Sequence, residues 1–434
     1  MFIELLPIIL FVAIFAMILW GYPVAFTLGG ISVLFGLVYF GTDFFLLLPL
    51  RIYGTMNNYV LIAVPLFIFM GIMLEKSGLA ESLLETMSLL FGRMRGGLAI
   101  SVVIVGAMLA ASTGIVGATV ITMGLISLPV MLKRGYSKPL ATGTIAASGT
   151  LGQIIPPSIV LVLLGSVLNV SVGDLFAAAL APGLLLVGCY LLYILVLAIV
   201  RPASVPPIPH EEIRQFRSKG MWKRIIKAFL LPFFLIGAVL GSIFAGIASP
   251  TEAAALGAFG ATILTLLSGK LSLGIMKQVT RETTHLTCMV FLILIGATAF
   301  TLVFRRMDGD VFLISAIEQS SLSPYTFLFL VMLVVFVAGF FIDFIEIIFI
   351  IVPVVAPVFL KLEMDLIWVG VLIALNLQTS FLSPPFGFSL FYLKGVAPPE
   401  VKTSDLYKGI IPFVVIQLIF IALVILFPGI LTIF

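Results

Sequence analysis

The chain has 434 residues, of which 62% are hydrophobic and only 10% are charged, and its formal net charge is +4. Soluble domains are about 45–50% apolar and about 25% charged, so this composition excludes soluble enzymes, nucleic-acid-binding proteins and disordered proteins. Cys189 and Cys288 both lie inside apolar runs, which favours single core or lipid-facing residues over a disulfide or a metal pair. The composition predicts an all-α polytopic membrane protein whose surroundings are the lipid bilayer, with no nucleic-acid partner.

Simple membrane crossings are recognised by length, because a helix needs about 20 apolar residues to cross the hydrocarbon core. The first apolar segment has neither a basic start nor a small-residue cleavage site, so we expect it to be kept as a span. The stretch 44–58 contains Pro49 and is too short and broken to cross, so we place it along the outer interface. The predicted simple crossings are 3–20, 23–40, 58–75, 175–200, 227–247, 250–268, 284–305 and 408–431.

Four other apolar segments do not fit a simple crossing. Residues 97–132 and 325–360 are too long for one span and have weak centres, which favours a re-entrant hairpin of two half-helices in each. Residues 139–168 and 366–394 carry Gly, Ser, Thr and a Pro-Pro pair at mid-depth, so each is predicted to be a crossing that is broken near its middle. Broken backbone survives in lipid only against protein, water or a ligand.

The two halves of the chain repeat each other. Pro357 lies 228 positions after Pro129, and Pro384 lies 228 positions after Pro156. This shared spacing predicts a duplication with repeats at 1–200 and 227–434, joined by a linker at 201–226. Each repeat has about five crossings and one hairpin, and because five is odd the second repeat is predicted to be inverted. Inverted repeats with interrupted helices are typical of secondary transporters.

The basic residues indicate which way the repeats face. With the N-terminus outside, 19 of the 23 lysines and arginines lie on the cytoplasmic side, and the exceptions are Arg51, Arg305, Arg306 and Lys361. Basic residues concentrate in cytoplasmic loops, so this sorting supports the count of crossings. Both termini are therefore predicted to be periplasmic, and the linker, with its basic residues, to be cytoplasmic.

The interrupted segments predict two cation sites with a substrate site between them, because a broken helix frees carbonyls that suit Na⁺ and N–H groups that suit carboxylates. The first cation site would join the hairpin tip 112–114 to the break 149–158, and the second would join 339–343 to 376–385. Small residues at such positions also serve helix packing, and a Pro-Pro pair can be a simple kink. The occurrence of a hairpin and a break in register in both halves favours a functional site.

Three acids near these segments have alternative roles. Asp343 would bind a cation, carry a proton or cap a half-helix, and Glu346 one turn later would pair with it. Glu252 follows Pro250 by two residues, which favours a role at the helix terminus over transport chemistry.

Four motifs in chain order also carry a resemblance to a known family. They are AASTG at 110–114, GTLGQIIPPS at 149–158, SPTEAA at 249–254 and GFFID at 339–343. Together they resemble the large membrane subunit, or DctM-type permease, of the TRAP (tripartite ATP-independent periplasmic) transporters, and the likeness covers essentially the whole chain. It implies a sodium-driven importer of the bacterial inner membrane that moves a transport domain against a scaffold in elevator fashion. The implied partners are a separate small four-helix membrane subunit and a periplasmic binding protein, which delivers a dicarboxylate, keto acid or sugar acid.

The resemblance also implies ligands for sodium as the coupling ion, with no other cofactor. Carried over by position, the first sodium site falls on Ser112, Gly114, Gly152, Ile155 and Pro157, largely through backbone oxygens. The second sodium site falls on Gly339, Asp343, Thr379, Leu382 and Pro385. The substrate-binding candidates between the two sites are Thr113, Thr150, Gln153, Asn376, Gln378 and Ser380.

Two alternatives come from other functional classes. One is the permease of an ABC-type importer energised by a separate ATPase, although the chain has no G-x-x-x-x-G-K sequence. The other is an intramembrane enzyme that uses Asp343 and Glu346, but no nucleophile–base pair is evident. We therefore predict a sodium-coupled importer and no enzymatic activity.

Overall fold

The computed structural model describes residues 5–114, 116–209, 225–320 and 322–432. These ranges are almost entirely helical and contain no strand, which confirms the predicted all-α class. Six helices are long and apolar enough to cross a membrane, or seven if a pair bent by 50°, Phe344–Ile350 and Val352–Lys361, is one span. Most of the predicted linker at 201–226 lies outside the described residues.

The described part of the first half contains a run of helices that begins near the N-terminus and ends before the linker. Their bounds are α1 Leu6–Leu19, α2 Val24–Phe40, α3 Phe44–Met56, α4 Ala63–Lys76, α5 Leu79–Phe91, α6 Gly97–Thr113, α7 Val116–Lys133, α8 Lys138–Thr150, α9 Ile159–Leu168 and α10 Val172–Val200. The weak centre of 97–132 separates α6 from α7, and the break in 139–168 separates α8 from α9.

The second half follows the same order after a short π-helical turn at Ile226–Leu230. Its helices are α11 Leu231–Phe244, α12 Pro250–Leu267, α13 Leu273–Arg306, α14 Gly309–Ser320, α15 Pro324–Ala338, α16 Phe344–Ile350, α17 Val352–Lys361, α18 Leu366–Leu382, α19 Phe388–Val396 and α20 Thr403–Leu426. Residues 339–343 separate α15 from α16, and residues 383–387 separate α18 from α19.

Several helices begin at a serine whose side chain caps the first turn. Ser171, Ser249, Ser272 and Ser323 each accept a hydrogen bond from a backbone N–H in the first turn of the helix that follows. The first N–H groups of a helix lack internal partners, so these caps satisfy donors that lipid could not. Glu252 completes a capping box with Ser249, accepting a hydrogen bond from the Ser249 N–H at 2.8 Å. Its predicted role at the helix terminus is therefore confirmed.

Helix bounds in the two halves recur at nearly constant separation. The start of α8 and the start of α18 are 228 positions apart, as are the end of α7 and the end of α17. One pair differs: α13 is a single helix that begins at Leu273 rather than at the predicted residue 284, whereas its counterpart is divided into α3 and α4. Pro49 lies inside α3 and Asn58 caps a new turn before α4, while α13 contains no proline.

The halves interlock through small residues. Helix α2 packs along α13 and α4 packs along α12, so each half contributes one partner to both contacts. Helix α8 packs along α20, and a methyl group on Gly143 would lie 2.1 Å from the Gly409 carbonyl oxygen. Glycines at such contacts let the backbones approach closely, which drives helix association in membranes.

The predicted inversion has a direct test at two equivalent lysines. Lys133 and Lys361 end α7 and α17, and both side chains are exposed. In a chain carrying Cys189→Ser and Cys288→Ser, we expect a membrane-impermeant maleimide to label Lys133→Cys only from the cytoplasm. It should label Lys361→Cys only from the periplasm, and labelling of both positions from one face would contradict the inverted repeat.

Candidate functional site

The tip of the first hairpin rests on the start of α9. After α6 the chain turns at Gly114, whose φ of +61° lies in the left-handed region that glycine adopts without steric cost. A methyl group on Gly114 would lie 3.0 Å from Ile159 Cγ1 and 3.2 Å from the Ile159 nitrogen. A larger residue at the tip would therefore separate the hairpin from the broken helix. The backbones of Ser112 and Thr113 end α6, and their side chains lie outside the described part of the structure.

The first break is a buried stretch of irregular backbone. A 3₁₀ turn at Leu151–Gln153 leads to a cis Pro156-Pro157 bond, and all residues from 151 to 158 are buried. The Ser158 hydroxyl donates to the Gln153 carbonyl at 2.9 Å and accepts from the Leu161 N–H at 3.4 Å. These bonds close the break and start α9.

Several carbonyl oxygens of the first break accept no hydrogen bond from the described residues, namely those of residue 152 and residues 154–157. Buried backbone oxygens in a membrane need a partner, and unwound carbonyls commonly coordinate sodium in transporters. Three of these residues, Gly152, Ile155 and Pro157, belong to the predicted first sodium site, so the structure is compatible with that prediction without testing it.

The second hairpin contacts the second broken helix at the equivalent place. A methyl group on Gly339 would lie 2.1 Å from the Ser380 hydroxyl, and the Phe344 and Phe381 rings are 6.1 Å apart. In the first half the glycine is on the broken helix instead, where a methyl on Gly152 would lie 2.2 Å from the Ala110 carbonyl oxygen. In each half, therefore, the hairpin and the broken helix pack closely at one glycine.

The second break is more fully closed by hydroxyl groups than the first. The Ser383 hydroxyl donates to the Thr379 carbonyl at 2.8 Å, and the Ser389 hydroxyl donates to the Phe381 carbonyl at 2.8 Å. The Tyr407 hydroxyl donates to the Pro385 carbonyl at 2.9 Å, and Pro385 is itself exposed. Two of the predicted ligands of the second sodium site, Thr379 and Pro385, thus already accept hydrogen bonds, although a carbonyl oxygen has a second lone pair.

Asp343 caps the short helix α16. Its carboxylate accepts a hydrogen bond from the Phe344 N–H at 2.7 Å, while the Glu346 carboxylate accepts one from the Asp343 N–H at 3.1 Å. This reciprocal capping box confirms the capping role that the sequence left as an alternative, and the side chains of Asp343 and Glu346 meet each other's backbone. Cation binding by Asp343 stays a prediction.

A cavity of about 270 Å³ lies where the hairpins and broken helices converge. Asp343 is the one charged side chain among the described residues that line it. Its walls come from both hairpins, both broken helices and the helices α4 and α13; they include Gly117, Ile159, Phe344, Phe381, Tyr392 and Met289. The cavity has the composition of a small-molecule site, which is mostly apolar with few polar groups.

Gly117 and Tyr392 join the halves at this cavity, and sequence reasoning assigned neither of them to the site. A methyl group on Gly117 would lie 3.0 Å from the Tyr392 ring, so the first hairpin reaches the second broken helix across the repeat boundary. The available signal was positional: Gly117 lies one turn beyond the first hairpin tip, and Tyr392 lies two turns beyond Pro385.

The predicted substrate-binding residues lie elsewhere. Among those with described side chains, none lines the 270 Å³ cavity. Asn376 donates to the Met332 carbonyl at 2.7 Å and ties α18 to α15, and Thr150 donates to the Ala147 carbonyl at 2.9 Å within its own helix. The Gln153 and Gln378 amides are fully buried with no hydrogen-bond partner among the described residues. Residues two apart on a helix point to different faces, which is why Asn376 and Gln378 do not converge.

The hairpin contacts predict a specific pattern of mutational rescue. Gly339→Ala should lower thermal stability by about 1–3 kcal/mol, because its methyl group would collide with Ser380. In a Ser380→Gly background the same substitution should cost almost nothing, since the obstructing side chain is gone. Gly152→Ala should be comparably harmful with no such rescue, because it meets the backbone oxygen of Ala110.

Thermal unfolding of the purified chain in detergent measures these effects. Gly241→Ala is the matched control, since a methyl group there meets nothing within 4 Å. If Gly339→Ala lowered the melting temperature equally with and without Ser380→Gly, the proposed close contact would be wrong.

Comparison with known proteins identifies the family. Residues 11–430 match the family described as tripartite ATP-independent periplasmic transporter, DctM component. The C4-dicarboxylate TRAP transporter large permease protein DctM of Pseudomonas aeruginosa is 30% identical, with 92% of each chain covered. The ectoine TRAP transporter large permease protein TeaC of Halomonas elongata is 30% identical over 85% of this chain and 84% of its own. The sialic acid TRAP transporter large permease protein SiaM of Vibrio cholerae is 30% identical over 86% of each chain.

A solved structure shows the same fold at lower sequence similarity. The YdaH transporter of Alcanivorax borkumensis superposes with a TM-score of 0.66 at 15% identity, covering 98% of each chain. That likeness concerns the fold alone, whereas the family match spans nearly the whole sequence. The chain therefore belongs to the DctM family, the large permease component of the tripartite ATP-independent periplasmic transporters.

Proposed function

We propose that this chain carries a small organic acid across the bacterial inner membrane in symport with sodium. A periplasmic binding protein would deliver the acid, and a separate small four-helix membrane subunit would complete the permease. Family membership supports ATP-independent transport of this kind. The similar permeases are named for C4-dicarboxylates, ectoine and sialic acid, so the proposal for the cargo stays at the level of a dicarboxylate, keto acid or sugar acid.

The observation that carries the proposal is the 270 Å³ cavity, because all four interrupted segments meet there. On one side are the hairpins and broken helices, which contact one another through Gly152 and Gly339. On the other side are α4 and α13, which belong to the helices that interlock the halves. A substrate in this cavity would lie between two bodies, and this supports an elevator movement of one body against the other.

Sodium would occupy the two hairpin–break contacts. The carbonyls of Gly152, Ile155 and Pro157, which accept no hydrogen bond from the described residues, supply hard oxygen donors for the first ion, and the Asp343 carboxylate supplies a negative charge near the second. An acid at this depth is costly unless a cation offsets its charge. Two sodium ions would also neutralise a dicarboxylate, and each further charge moved inward gains about 2.3 kcal/mol per 100 mV.

The two alternative functions have less support. An ABC-type permease depends on ATP, whereas the family that contains this chain is described as ATP-independent. An intramembrane enzyme that uses Asp343 and Glu346 does not fit either, because the chain belongs to a family of transporter permeases. Both carboxylates are moreover engaged in capping α16.

Replacing the charge of Asp343 tests the second sodium site. Asparagine caps helices about as well as aspartate, so Asp343→Asn removes the charge while keeping the cap. We expect the sodium concentration that gives half-maximal thermal stabilisation of the purified chain to rise about tenfold, which corresponds to a loss of about 1.4 kcal/mol. Potassium at equal ionic strength serves as the reference salt.

Asp365→Asn is the matched control. Asp365 caps α18 through the Ile367 N–H at 2.8 Å, but it lies at an exposed helix end away from the cavity. This variant should keep the wild-type sodium dependence. An unchanged sodium dependence in Asp343→Asn would remove Asp343 from the coupling site.

A further inference from the structure

A second cavity, of about 580 Å³, lies around the C-terminal part of α13. Three arginines line it: Arg51 from α3, and Arg305 and Arg306 from the end of α13. The other polar groups of its lining are supplied by Thr55, Ser166, Asn169, Thr298 and Thr301. None of the described residues in this lining is acidic, so the cavity presents positive charge and hydrogen-bonding groups only. We call it the outer arginine cavity.

The three guanidinium groups are available to an anion. Among the described residues, no carboxylate forms an ion pair with any of them, and Arg306 lies over the Phe40 ring at 4.9 Å. A cation stacked on an aromatic face still exposes its edge donors to a ligand.

The walls of the cavity are joined by hydrogen-bonding contacts. The hydroxyl oxygens of Thr55 and Thr298 are 3.3 Å apart, which links α3 to α13. Asn58 donates to the Ser166 hydroxyl at 3.1 Å, which links the start of α4 to α9. Arg51 is therefore held on a wall that is attached to the helix carrying the other two arginines.

These arginines are also the residues that charge sorting does not explain. The predicted topology leaves four basic residues outside, and three of the four line this one cavity. Outer loops of membrane proteins contain few lysines and arginines, so their convergence at one place indicates a purpose other than orientation.

The outer arginine cavity and the 270 Å³ cavity, which we call the central cavity, are lined by some of the same helices. Both cavities are lined by α9, α13 and the α16 region. On α13, Val290 lines the central cavity and Leu294, one turn later, lines the outer one. On α9, Ile159 lines the central cavity and Ser166, two turns later, lines the outer one.

We propose that the outer arginine cavity receives the carboxylate of the organic acid on the periplasmic side before the acid enters the central cavity. This role rests on the proposed transport function and adds a site to it. Arginine binds carboxylates through paired N–H donors, and a cavity of this size accommodates a small organic molecule. The hydroxyl and amide groups around the arginines would bind the polar remainder of the acid.

The charge of the cavity can be measured without knowing the cargo. In a chain carrying Cys189→Ser and Cys288→Ser, the reporter Thr301→Cys is placed in the lining of the cavity. The probes are two thiol reagents of similar size, the anionic sulfonatoethyl methanethiosulfonate and the cationic trimethylammonioethyl methanethiosulfonate. A positive cavity concentrates the anionic reagent, so the ratio of its labelling rate to that of the cationic one should exceed the ratio measured with a free thiol.

Changing all three arginines to glutamine should lower this ratio about tenfold, and changing them to lysine should restore most of it. Each single Arg→Gln variant should lower it in part, which keeps the test valid if the triple variant does not fold. Lys361→Gln is the matched control, because Lys361 is the fourth outer cation and pairs with Glu318 at 3.7 Å away from the cavity lining. That control should leave the ratio unchanged.

A ratio that stayed the same in the Arg→Gln variants would overturn the outer arginine cavity as an anion site. The measurement requires neither sodium nor transport, so its failure would leave the sodium test at Asp343 untouched. Conversely, a failed sodium test with a positive labelling result would retain the anion site and reject the coupling scheme.

Discussion

The constraint on which this structure depends is that backbone polar groups inside a membrane must find partners. Continuous helices satisfy it internally, but irregular backbone separates α8 from α9 and α18 from α19. Each broken helix is met closely by a hairpin, the first through the Ala110 backbone at Gly152 and the second through Gly339 at the Ser380 side chain. Gly152 and Gly339 permit this approach, because a methyl group at either position would overlap the neighbouring chain. The hairpins are therefore part of the same packed unit as the broken helices.

The two halves satisfy this constraint differently. In the second break the hydroxyls of Ser383, Ser389 and Tyr407 donate to the freed carbonyls. In the first break the Ser158 hydroxyl donates to the Gln153 carbonyl, and other carbonyl oxygens accept no hydrogen bond from the described residues. The two proposed sodium sites would therefore differ chemically, the first dominated by neutral carbonyl oxygens and the second placed beside the Asp343 carboxylate. The proposed route of the acid passes the arginines of the outer arginine cavity first and the Asp343 carboxylate second.

Much of the fold could be predicted because the length of apolar segments, the positions of prolines and the distribution of charges can be read directly from short stretches of sequence. The hairpin at 97–132 follows from its length and its weak centre at 112–114, and the break at 366–394 follows from its Pro-Pro pair. The long helix α13 was predicted too short, since its first turns, with Lys277 and Arg281, are too polar to register as a span. The helix continues there because nothing in the sequence breaks it.

The site was less predictable because side-chain direction depends on packing. Gln378 and Asn376 both lie in α18, yet the Gln378 amide has no hydrogen-bond partner among the described residues, whereas the Asn376 amide donates to a carbonyl of α15. Gly117 and Tyr392 meet across the repeat boundary, a contact between distant segments that spacing alone does not reveal. Asp343 could be identified from the sequence as a candidate site residue, because an acid within an apolar hairpin stands out however the helices pack.

The central claim is that the cavity between the hairpins couples an organic acid to sodium. Its most direct test is uptake into vesicles that contain the chain, its small subunit and the binding protein, with no ATP present. A panel of labelled dicarboxylates, keto acids and sugar acids supplies the cargo. An inward sodium gradient should drive accumulation of at least one acid, and an equal potassium gradient should not. Accumulation that was the same with potassium, or that required ATP, would contradict the account.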